Sequence, residues 1–315
     1  MRIAIAGASS FIGRELTAQL LAEDAEVVWL SRRPARTPAP DGVRQATFDH
    51  HDQDGPWAAE IAAADAVVNL SGHPIASRWN AAVKHALRDS RIGTNRAIVR
   101  ALADAHAADP NRERVLVSAS GIGYYGDRGD AVLDEGTEAG ADFLGQLAAE
   151  WESAALEAAR AGSARVVCVR TGLVLGSEGL VPRLALPMRL FVGGPVGLHA
   201  RRQWVGWIHH ADIAAVYRYA IATPTLSGPV NAVAPEPATM HAFSATLGRV
   251  MRRPSWLPVP GLALKIILGE VAPYMLFSQR ATPAALTASG FEFAHPHLPG
   301  ALTDVTSEGP RRDRV

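Results

Sequence analysis

Short apolar, β-branched runs alternate with longer alanine-rich stretches over the first half of the chain. Apolar runs of this length are typical of parallel strands that are buried on both faces. The stretches between them have the apolar spacing of helices and few helix-breaking residues. The predicted strands are Ile3 to Ala6, Glu26 to Leu30, Ala66 to Leu70, Arg114 to Ser118 and Val166 to Arg170. The pattern predicts an α/β fold with a Rossmann-type, doubly wound parallel sheet.

The pattern becomes irregular after Arg170, with frequent prolines and glycines from Gly176 to Gly197. A helical stretch follows from Ala211 to Ile221, and the structure beyond Asn231 is expected to be mixed. We predict a Rossmann domain over residues 1–170, to which part of 205–235 returns, a smaller mixed substrate-side domain over 171–303, and a flexible tail over 304–315.

Charge and cysteine content narrow the class of protein. The 315 residues carry 31 basic and 31 acidic side chains, so the formal net charge is zero. The chain therefore has no excess positive charge that would attract nucleic acid. The single cysteine, Cys168, lies in an apolar run and has no internal disulfide partner, which suits a reducing compartment and a core position.

Targeting and membrane segments are not expected. The apolar run at the N-terminus is too short for a signal peptide. The stretch from Trp256 to Phe277 is interrupted by charged residues and prolines that a membrane-spanning helix would rarely combine. We expect a cytoplasmic protein that acts on an unidentified small molecule. The oligomeric state is left open, and a homodimer is one alternative.

A glycine-rich turn follows the first strand. The segment Gly7-Ala8-Ser9-Ser10-Phe11-Ile12-Gly13 stands between that strand and a predicted helix. Glycines at this place let the backbone approach a pyrophosphate at the N-terminus of a helix. We predict a dinucleotide site that includes Gly7, Ser9, Ser10, Phe11, Ile12 and Gly13.

The end of the second strand selects the form of the cofactor. An acidic residue there would bind the ribose 2′-hydroxyl of NAD(H) and repel a 2′-phosphate. This strand ends instead with Ser31-Arg32-Arg33. A hydroxyl and two guanidiniums suit a phosphate, so we predict NADP(H). The alternative is an exposed basic turn without a ligand.

Several motifs together resemble one branch of the extended short-chain dehydrogenase/reductase superfamily, the epimerase-family proteins, which are also labelled division-inhibitor homologues. The resemblance covers the chain from Met1 to about Thr303. Besides the glycine-rich turn, the motifs are Asn69-Leu70-Ser71-Gly72, Gly123-Tyr124-Tyr125-Gly126, Arg170-Thr171-Gly172-Leu173-Val174-Leu175, Trp207-Ile208-His209 and Gly228-Pro229-Val230-Asn231-Ala232.

The resemblance implies further cofactor contacts. Leu70, Ser71 and Gly72 would line the cofactor, and Val174 would lie near the nicotinamide. Arg91 occupies a helix that resembles one bordering the cofactor in relatives. Its side chain would either reach a phosphate or cap a surface. Ser10 stands where the superfamily pattern usually has its middle glycine.

The chain departs from the catalytic pattern of the superfamily, in which a tyrosine acts as general acid and base with a lysine four residues later. Asp142 and Gln146 occupy these two places, and neither lysine of the sequence follows a tyrosine at that spacing. If chemistry is retained, Tyr125 and His209 are the candidate proton donors. Each also has a structural interpretation, Tyr125 as a packed core tyrosine and His209 as a residue that orients its loop.

Two residues after the loop Gly193-Gly194-Pro195-Val196-Gly197 are candidates for substrate binding. Arg202 could hold a carboxylate or phosphate, and Trp204 could stack on a planar or sugar substrate. Equally, both could pin the loop to the protein surface. The adjacent pair His209-His210 lacks further ligands at a recognisable spacing, so no metal site is predicted.

These observations favour an NADP(H)-dependent oxidoreductase that transfers a hydride to an unidentified small substrate. The alternative is a non-catalytic regulatory or redox-sensing protein that binds NADP(H). The missing tyrosine and lysine motivate the alternative, and the fold cannot decide between the two.

Overall fold

A computed structural model describes residues 1–32, 38–52, 55–191, 193–197, 200–258, 265–266 and 269–307. Its main sheet contains seven strands, which are β1 (Arg2–Ala6), β2 (Glu26–Ser31), β3 (Arg44–Thr47), β4 (Ala66–Asn69), β5 (Val115–Gly121), β7 (Arg165–Thr171) and β11 (Gly228–Ala232). Their order is β11-β7-β5-β4-β1-β2-β3, and every neighbouring pair is parallel. The predicted Rossmann-type parallel sheet is confirmed.

Helices cover both faces of this sheet. The α-helices whose bounds the described residues give are α1 (Phe11–Leu21), α2 (Trp57–Ala63), α3 (Ala81–Arg88), α4 (Thr94–Ala108), α5 (Phe143–Arg160), α6 (Leu180–Arg189), α7 (His210–Ala222) and α8 (Met240–Val250), followed by Ala284–Ser289 and Leu298–Ser307. Helices α1 and α7 pack on one face, and α2, α4 and α5 pack on the other. The sheet is therefore doubly wound.

Strand β1 shows why the buried strands lack polar alternation. Successive side chains of a strand point to opposite faces. Ile3 and Ile5 accordingly enter the core beneath α1 and α7, whereas Ala4 and Ala6 enter the core beneath α2 and α4. Because both faces are covered by helices, all four positions must be apolar.

The two edge strands were not assigned from the sequence, although β11 lies within 205–235, part of which was expected to return to the Rossmann domain. Strand β3 lies at one edge and is partly exposed, so its Arg-Gln-Ala-Thr segment carries no apolar run. Strand β11 lies at the other edge and pairs with β7 after about sixty intervening residues. The sheet therefore includes chain from both sides of the irregular region.

The remaining elements form a smaller unit beside the carboxyl ends of the sheet. Helices α6, α8 and Leu298–Ser307 share a third apolar core. Two short strand pairs contribute to it, β8 (Leu173–Leu175) with β10 (Trp207–His209) and β9 (Trp204–Val205) with β12 (Ala238–Thr239). A third pair, β6 (Val132–Leu133) with β13 (Arg280–Ala281), packs in a separate small cluster with Tyr125. The last helix extends past the boundary at 303 that was drawn from the sequence.

No helix among the described residues is both long and apolar enough to cross a membrane. Cys168 is fully buried in the core on the α5 face, where burial raises the pKa of its thiol. The core position predicted for this cysteine is confirmed.

A buried ion pair joins α5 to β7. The guanidinium of Arg170 donates to both carboxylate oxygens of Glu152 at 2.8 Å, and the two side chains are only 3% and 6% exposed. The Ser120 hydroxyl donates to the same carboxylate at 2.7 Å. Burial disfavours the charge of Arg170, but the hydrogen bond and charge of Glu152 outweigh that effect and raise its pKa.

We expect Glu152→Gln to lower the free energy of unfolding by about 3–5 kcal/mol, because it leaves the buried guanidinium of Arg170 without a counter-charge. Urea unfolding followed by circular dichroism measures the change. Glu157→Gln, an exposed change on the same helix, is the matched control and should cost under about 0.5 kcal/mol. Equal effects of the two changes would contradict this role of the ion pair.

Candidate functional site

A groove of about 810 Å³ lies at the carboxyl ends of β1, β2 and β4. Ligands of open α/β sheets bind in crevices at this edge. Eight residues that were predicted to bind a cofactor line the groove, namely Gly7, Ser9, Ser10, Ser31, Arg32, Leu70, Ser71 and Gly72. The fold thus brings three separate sequence motifs together at one place.

The glycine-rich turn forms the floor of the groove. Gly7 has a φ of +78°, and a Cβ atom there would lie 2.8 Å from the carbonyl carbon of Leu70. A Cβ atom on Gly13 would lie 2.4 Å from the carbonyl oxygen of Ala8. Only glycine fits these two positions. The close backbone approach of Gly7 to Leu70 and of Gly13 to Ala8 allows α1 to begin directly at the groove.

Ser10 has a structural reason to replace the usual glycine. It is the N-cap of α1, with extended backbone, and its hydroxyl accepts the backbone N–H of Gly13 at 3.1 Å. This is the bond that serine forms most readily at a helix start. The departure from the superfamily pattern is therefore compatible with the same turn.

A second cavity of about 400 Å³ continues the groove across the sheet. It shares Ser10 and Leu70 with the first cavity and extends to Ala119 and Thr171 at the ends of β5 and β7. Its other lining residues are Phe11, Ile12, Ser120, Val174, Glu178, Gly179 and Tyr217. The predicted residues Phe11, Ile12 and Val174 all lie on this side. Together the two cavities form an elongated site of the kind that a dinucleotide requires.

The basic end of the groove carries Ser31 and Arg32. Ser31 is the last residue of β2, and Arg32 follows it as an exposed side chain. Arg33, which was predicted to accompany them, lies outside the described residues. Arg32 therefore supplies the positive charge that the described structure places at this end.

Six groove residues were missed by the sequence analysis, the first of them Leu30 near the end of β2. Phe48, Asp49 and His50 follow the edge strand β3, and Ser90 and Thr94 lie where α3 passes into α4. Because β3 carries no apolar run, the chain that leaves it could not be placed at the carboxyl edge of the sheet. Knowledge of that strand would have been sufficient to include Phe48, Asp49 and His50, whereas Ser90 and Thr94 reach the groove through the turn between α3 and α4.

Arg91 does not line the groove. Its side chain is buried behind Gly72, and its guanidinium donates to the carbonyls of Leu87 and His73 at 3.3 and 3.0 Å. Burial lowers its pKa to about 10. The geometry supports the capping interpretation and not the phosphate contact, because the guanidinium is committed to backbone carbonyls.

Tyr125 also lies away from the groove. It is fully buried, and its hydroxyl donates toward the Asn231 side-chain oxygen at 2.7 Å and the Asp134 carbonyl at 2.9 Å. Arg170 donates to the same hydroxyl at 3.0 Å. Burial raises the pKa of Tyr125 to about 12. These contacts favour the interpretation of Tyr125 as a packed core tyrosine over the proton-donor role, because its hydroxyl is already engaged within the protein.

His209 is the N-cap of α7. Its Nδ1 accepts the backbone N–H of Ala211 at 3.2 Å, and its ring stacks on His295 at 3.7 Å between centroids. The side chain is 1% exposed, and Nε2 lies 3.1 Å from a carboxylate oxygen of Asp304. Burial, aided by the charges of His210 and His295, lowers the pKa of His209 to about 4. These contacts favour the interpretation of His209 as a residue that orients its loop over the proton-donor role.

Arg202 and Trp204 do not line the two cavities. The Trp204 indole donates to Asp130 at 2.8 Å, and the Arg280 guanidinium lies 4.3 Å from its ring centroid. The Arg202 carbonyl accepts the hydroxyl of Ser278 at 3.2 Å. These contacts support the alternative in which the two residues pin the loop to the protein.

The residues in the usual tyrosine and lysine places have structural roles. Asp142 is the N-cap of α5 and accepts the backbone N–H groups of Leu144 and Gly145. Gln146 donates to the carbonyl of Ala141 at 3.1 Å. Helix α5 therefore presents no acid–base pair to the groove from these two positions.

Comparison with known proteins identifies the class. The model of the NAD dependent epimerase/dehydratase family matches residues 3–232, and a domain of unknown function, DUF1731, matches residues 259–305. The chain belongs to the epimerase/dehydratase family, and its C-terminal part is of the kind found in the epimerase-family branch. The resemblance stated from the motifs is confirmed.

Particular relatives match over almost the whole chain. An epimerase family protein of Mycobacterium bovis is 40% identical over 309 residues, covering 97% of each chain. The chloroplastic SDR39U1 homolog of Arabidopsis thaliana is 36% identical, covering 97% of this chain and 86% of the relative. The crystal structure of human epimerase family protein SDR39U1 with NADPH is similar with a TM-score of 0.82 and 31% identity, covering 98% of this chain and 99% of the human one.

The neutral state of His209 makes stability depend on pH. An imidazole in the unfolded chain takes up a proton near pH 6.5, whereas the folded protein resists protonation until about pH 4. The contribution of His209 is thus complete above about pH 6.5 and is lost as pH falls toward 4. We expect the free energy of unfolding of the wild type, measured with urea, to fall by on the order of 2 kcal/mol more over this pH interval than that of His209→Asn.

Asparagine is chosen because it caps helices without titrating in this range. His297→Asn is the control, since His297 is 67% exposed and pairs with Glu236 on the surface. Its pH profile should follow that of the wild type. A wild-type profile that coincides with that of His209→Asn would show that His209 is not held neutral.

Proposed function

We propose that this chain binds NADP(H) in the elongated groove and transfers a hydride between the nicotinamide and a small substrate. The observation that carries the proposal is the glycine floor, where α1 starts beside Leu70 and the groove continues from Arg32 to Val174. The pyrophosphate would lie at the N-terminus of α1, whose N–H groups face this floor. The NADPH in the similar human structure supports the choice of cofactor.

The two ends of the groove would hold the two ends of the cofactor. Arg32 and Ser31 would bind the 2′-phosphate, because a guanidinium and a hydroxyl are both donors to phosphate oxygens. The second cavity, with Ile12 and Val174 in its wall, would hold the nicotinamide. Its apolar lining would exclude water from the reacting face and leave the hydride transfer to the cofactor.

A second candidate is a non-catalytic protein that binds NADP(H) as a regulatory or redox signal. The observation in its favour is the lining of the nicotinamide-side cavity, in which the titratable residues are Glu178 and Tyr217. Glu178 pairs with Arg14, and burial raises the pKa of Tyr217 above its usual range. Neither is arranged as the usual tyrosine and lysine pair, so proton transfer is the step that the groove supports least.

We expect Arg32→Ala to weaken NADPH binding by about tenfold or more, because one charge-assisted contact to the phosphate is lost. NADH lacks the phosphate, so its affinity should change less than about twofold. Tryptophan fluorescence titration with both nucleotides measures the two values. Arg44→Ala, on the neighbouring strand β3 and outside the groove, is the matched control. Equal losses for NADPH and NADH would contradict phosphate recognition by Arg32.

Turnover separates the two candidate functions. If the chain is an oxidoreductase, the purified protein should oxidise NADPH, measured by absorbance, with at least one member of a panel of carbonyl, enone and sugar-nucleotide compounds. The assay should be repeated over several pH values, since the proton donor is not one of the usual residues. Tight NADPH binding without oxidation above background throughout the panel would favour the regulatory protein.

A further inference from the structure

A cluster of two histidines and two aspartates lies at the basic end of the groove. Asp49, His50 and His51 follow β3, and Asp89 begins the single π-helical turn Asp89–Gly93 between α3 and α4. One carboxylate oxygen of Asp89 lies 3.0 Å from His50 Nε2 and 3.4 Å from His51 Nε2. The ligand atoms of Asp49, His50 and His51 lie within 4.8 Å of one another. Two distant segments of chain therefore meet here, and a carboxylate oxygen of Asp89 faces the Nε2 atoms of both imidazoles.

These separations match the edges of a metal coordination shell. In a tetrahedral zinc site with bonds of about 2.0–2.1 Å, neighbouring ligand atoms are about 3.3 Å apart. The Asp89 oxygen lies 3.0 and 3.4 Å from the two imidazole nitrogens, on either side of that value. The Asp89 oxygen thus already lies at coordination-shell distances from both imidazoles.

The local structure holds the cluster in this arrangement. The His50 side chain is only 7% exposed, and a Cβ atom on Gly93 would lie 2.9 Å from its ring. Asp49 is fixed because its carboxylate accepts the backbone N–H of His51 at 3.0 Å. His51 is 67% exposed and leaves an open side for a water ligand. Such order reduces the conformational entropy that a metal would have to overcome.

The ligand chemistry selects the kind of cation. Imidazole nitrogen with carboxylate oxygen suits zinc and the neighbouring first-row divalent ions, whereas calcium and magnesium prefer oxygen alone. Two carboxylates neutralise the two charges of the ion. Arg96 and Arg100 line the adjoining hollow, but both are exposed to water, which screens their repulsion.

We propose that Asp49, His50, His51 and Asp89 form a binding site for a divalent cation of the zinc class at the mouth of the cofactor groove. In the absence of the ion, imidazole N–H groups contact Asp89. Binding replaces those protons and releases them to the solvent. The spacing of residues in the sequence could not predict this site, because Asp89 is separated from the histidines by about forty residues.

A second cluster, His209, His210 and Asp304, does not have the same capacity. Nδ1 of His209 accepts the N–H of Ala211 and so carries the lone pair of the neutral ring. Its Nε2 therefore carries the proton and faces Asp304 as a donor. A metal there would require loss of the α7 cap, whereas the proposed site requires no loss of helix capping.

The position of the site predicts an effect on the cofactor. Asp49 and His50 line the same groove as Ser31 and Arg32. A bound cation adds positive charge to this wall, where the 2′-phosphate would lie. We expect zinc to tighten NADPH binding. This consequence rests on the proposed cofactor site, whereas metal binding itself does not.

The test is isothermal titration of the metal-free full chain with ZnCl₂, and with CoCl₂ while the visible spectrum is recorded. We expect one ion per chain, proton release that depends on the buffer, and cobalt absorption bands of a four- or five-coordinate nitrogen–oxygen site. His51→Gln and Asp89→Asn should each weaken binding by at least tenfold. His297→Gln removes a histidine from an exposed pair with Glu236 at 3.0 Å and should leave binding unchanged.

Two results would overturn the proposal. The first is the absence of stoichiometric binding, or binding that survives His51→Gln and Asp89→Asn while circular dichroism shows that both variants are folded. The second is a binding event that His297→Gln abolishes, which would place the ion elsewhere. A separate NADPH titration with and without zinc tests the location. NADPH affinity unchanged by zinc, in a chain shown to bind both, would contradict a site on the groove wall.

Discussion

The ion pair between Arg170 and Glu152 is the contact on which most of the molecule's central structure depends. It joins β7 to α5, and Ser120 adds the end of β5 to the same carboxylate. Through Tyr125 the guanidinium also reaches Asn231, which belongs to the edge strand β11. Three strands and one helix are thereby held by one desolvated charge network. Such a network requires that all members be present, because a buried charge without its partner is strongly unfavourable.

The polar residues near the superfamily's usual catalytic positions have structural roles here. The tyrosine that leaves β5 is used to satisfy Arg170, and the first turn of α5 is used for helix capping by Asp142. The groove nevertheless retains the geometry that a dinucleotide needs. Cofactor binding and proton transfer are therefore separable properties of this fold, and here the structure supports the first more strongly than the second.

Residues under local constraint could be predicted from the sequence, and residues under tertiary constraint could not. The core strands can be predicted from the sequence because helices cover both faces of the sheet and every position must be apolar. Gly7 and Gly13 are readable because close backbone approach leaves no room for a Cβ atom. The burial of Arg91 and Tyr125 depends on partners such as His73 and Asn231, whose proximity is fixed only by the folded chain. The edge strand β3 was not predicted because it is exposed to water, and its residues are therefore mostly polar.

The return of the chain to the sheet at β11 has a consequence for how the protein is made. Strand β7 finds its outer neighbour only in Gly228–Ala232, and α7, which covers one face of the sheet, precedes that strand. During synthesis from the N-terminus, β7 therefore lacks its outer neighbour, and the face that α1 covers only in part stays partly exposed, until about three quarters of the chain has left the ribosome. Exposed edges and apolar faces attract other chains. The nascent protein should therefore need chaperone protection longest while the segment from β8 to β11 is being translated.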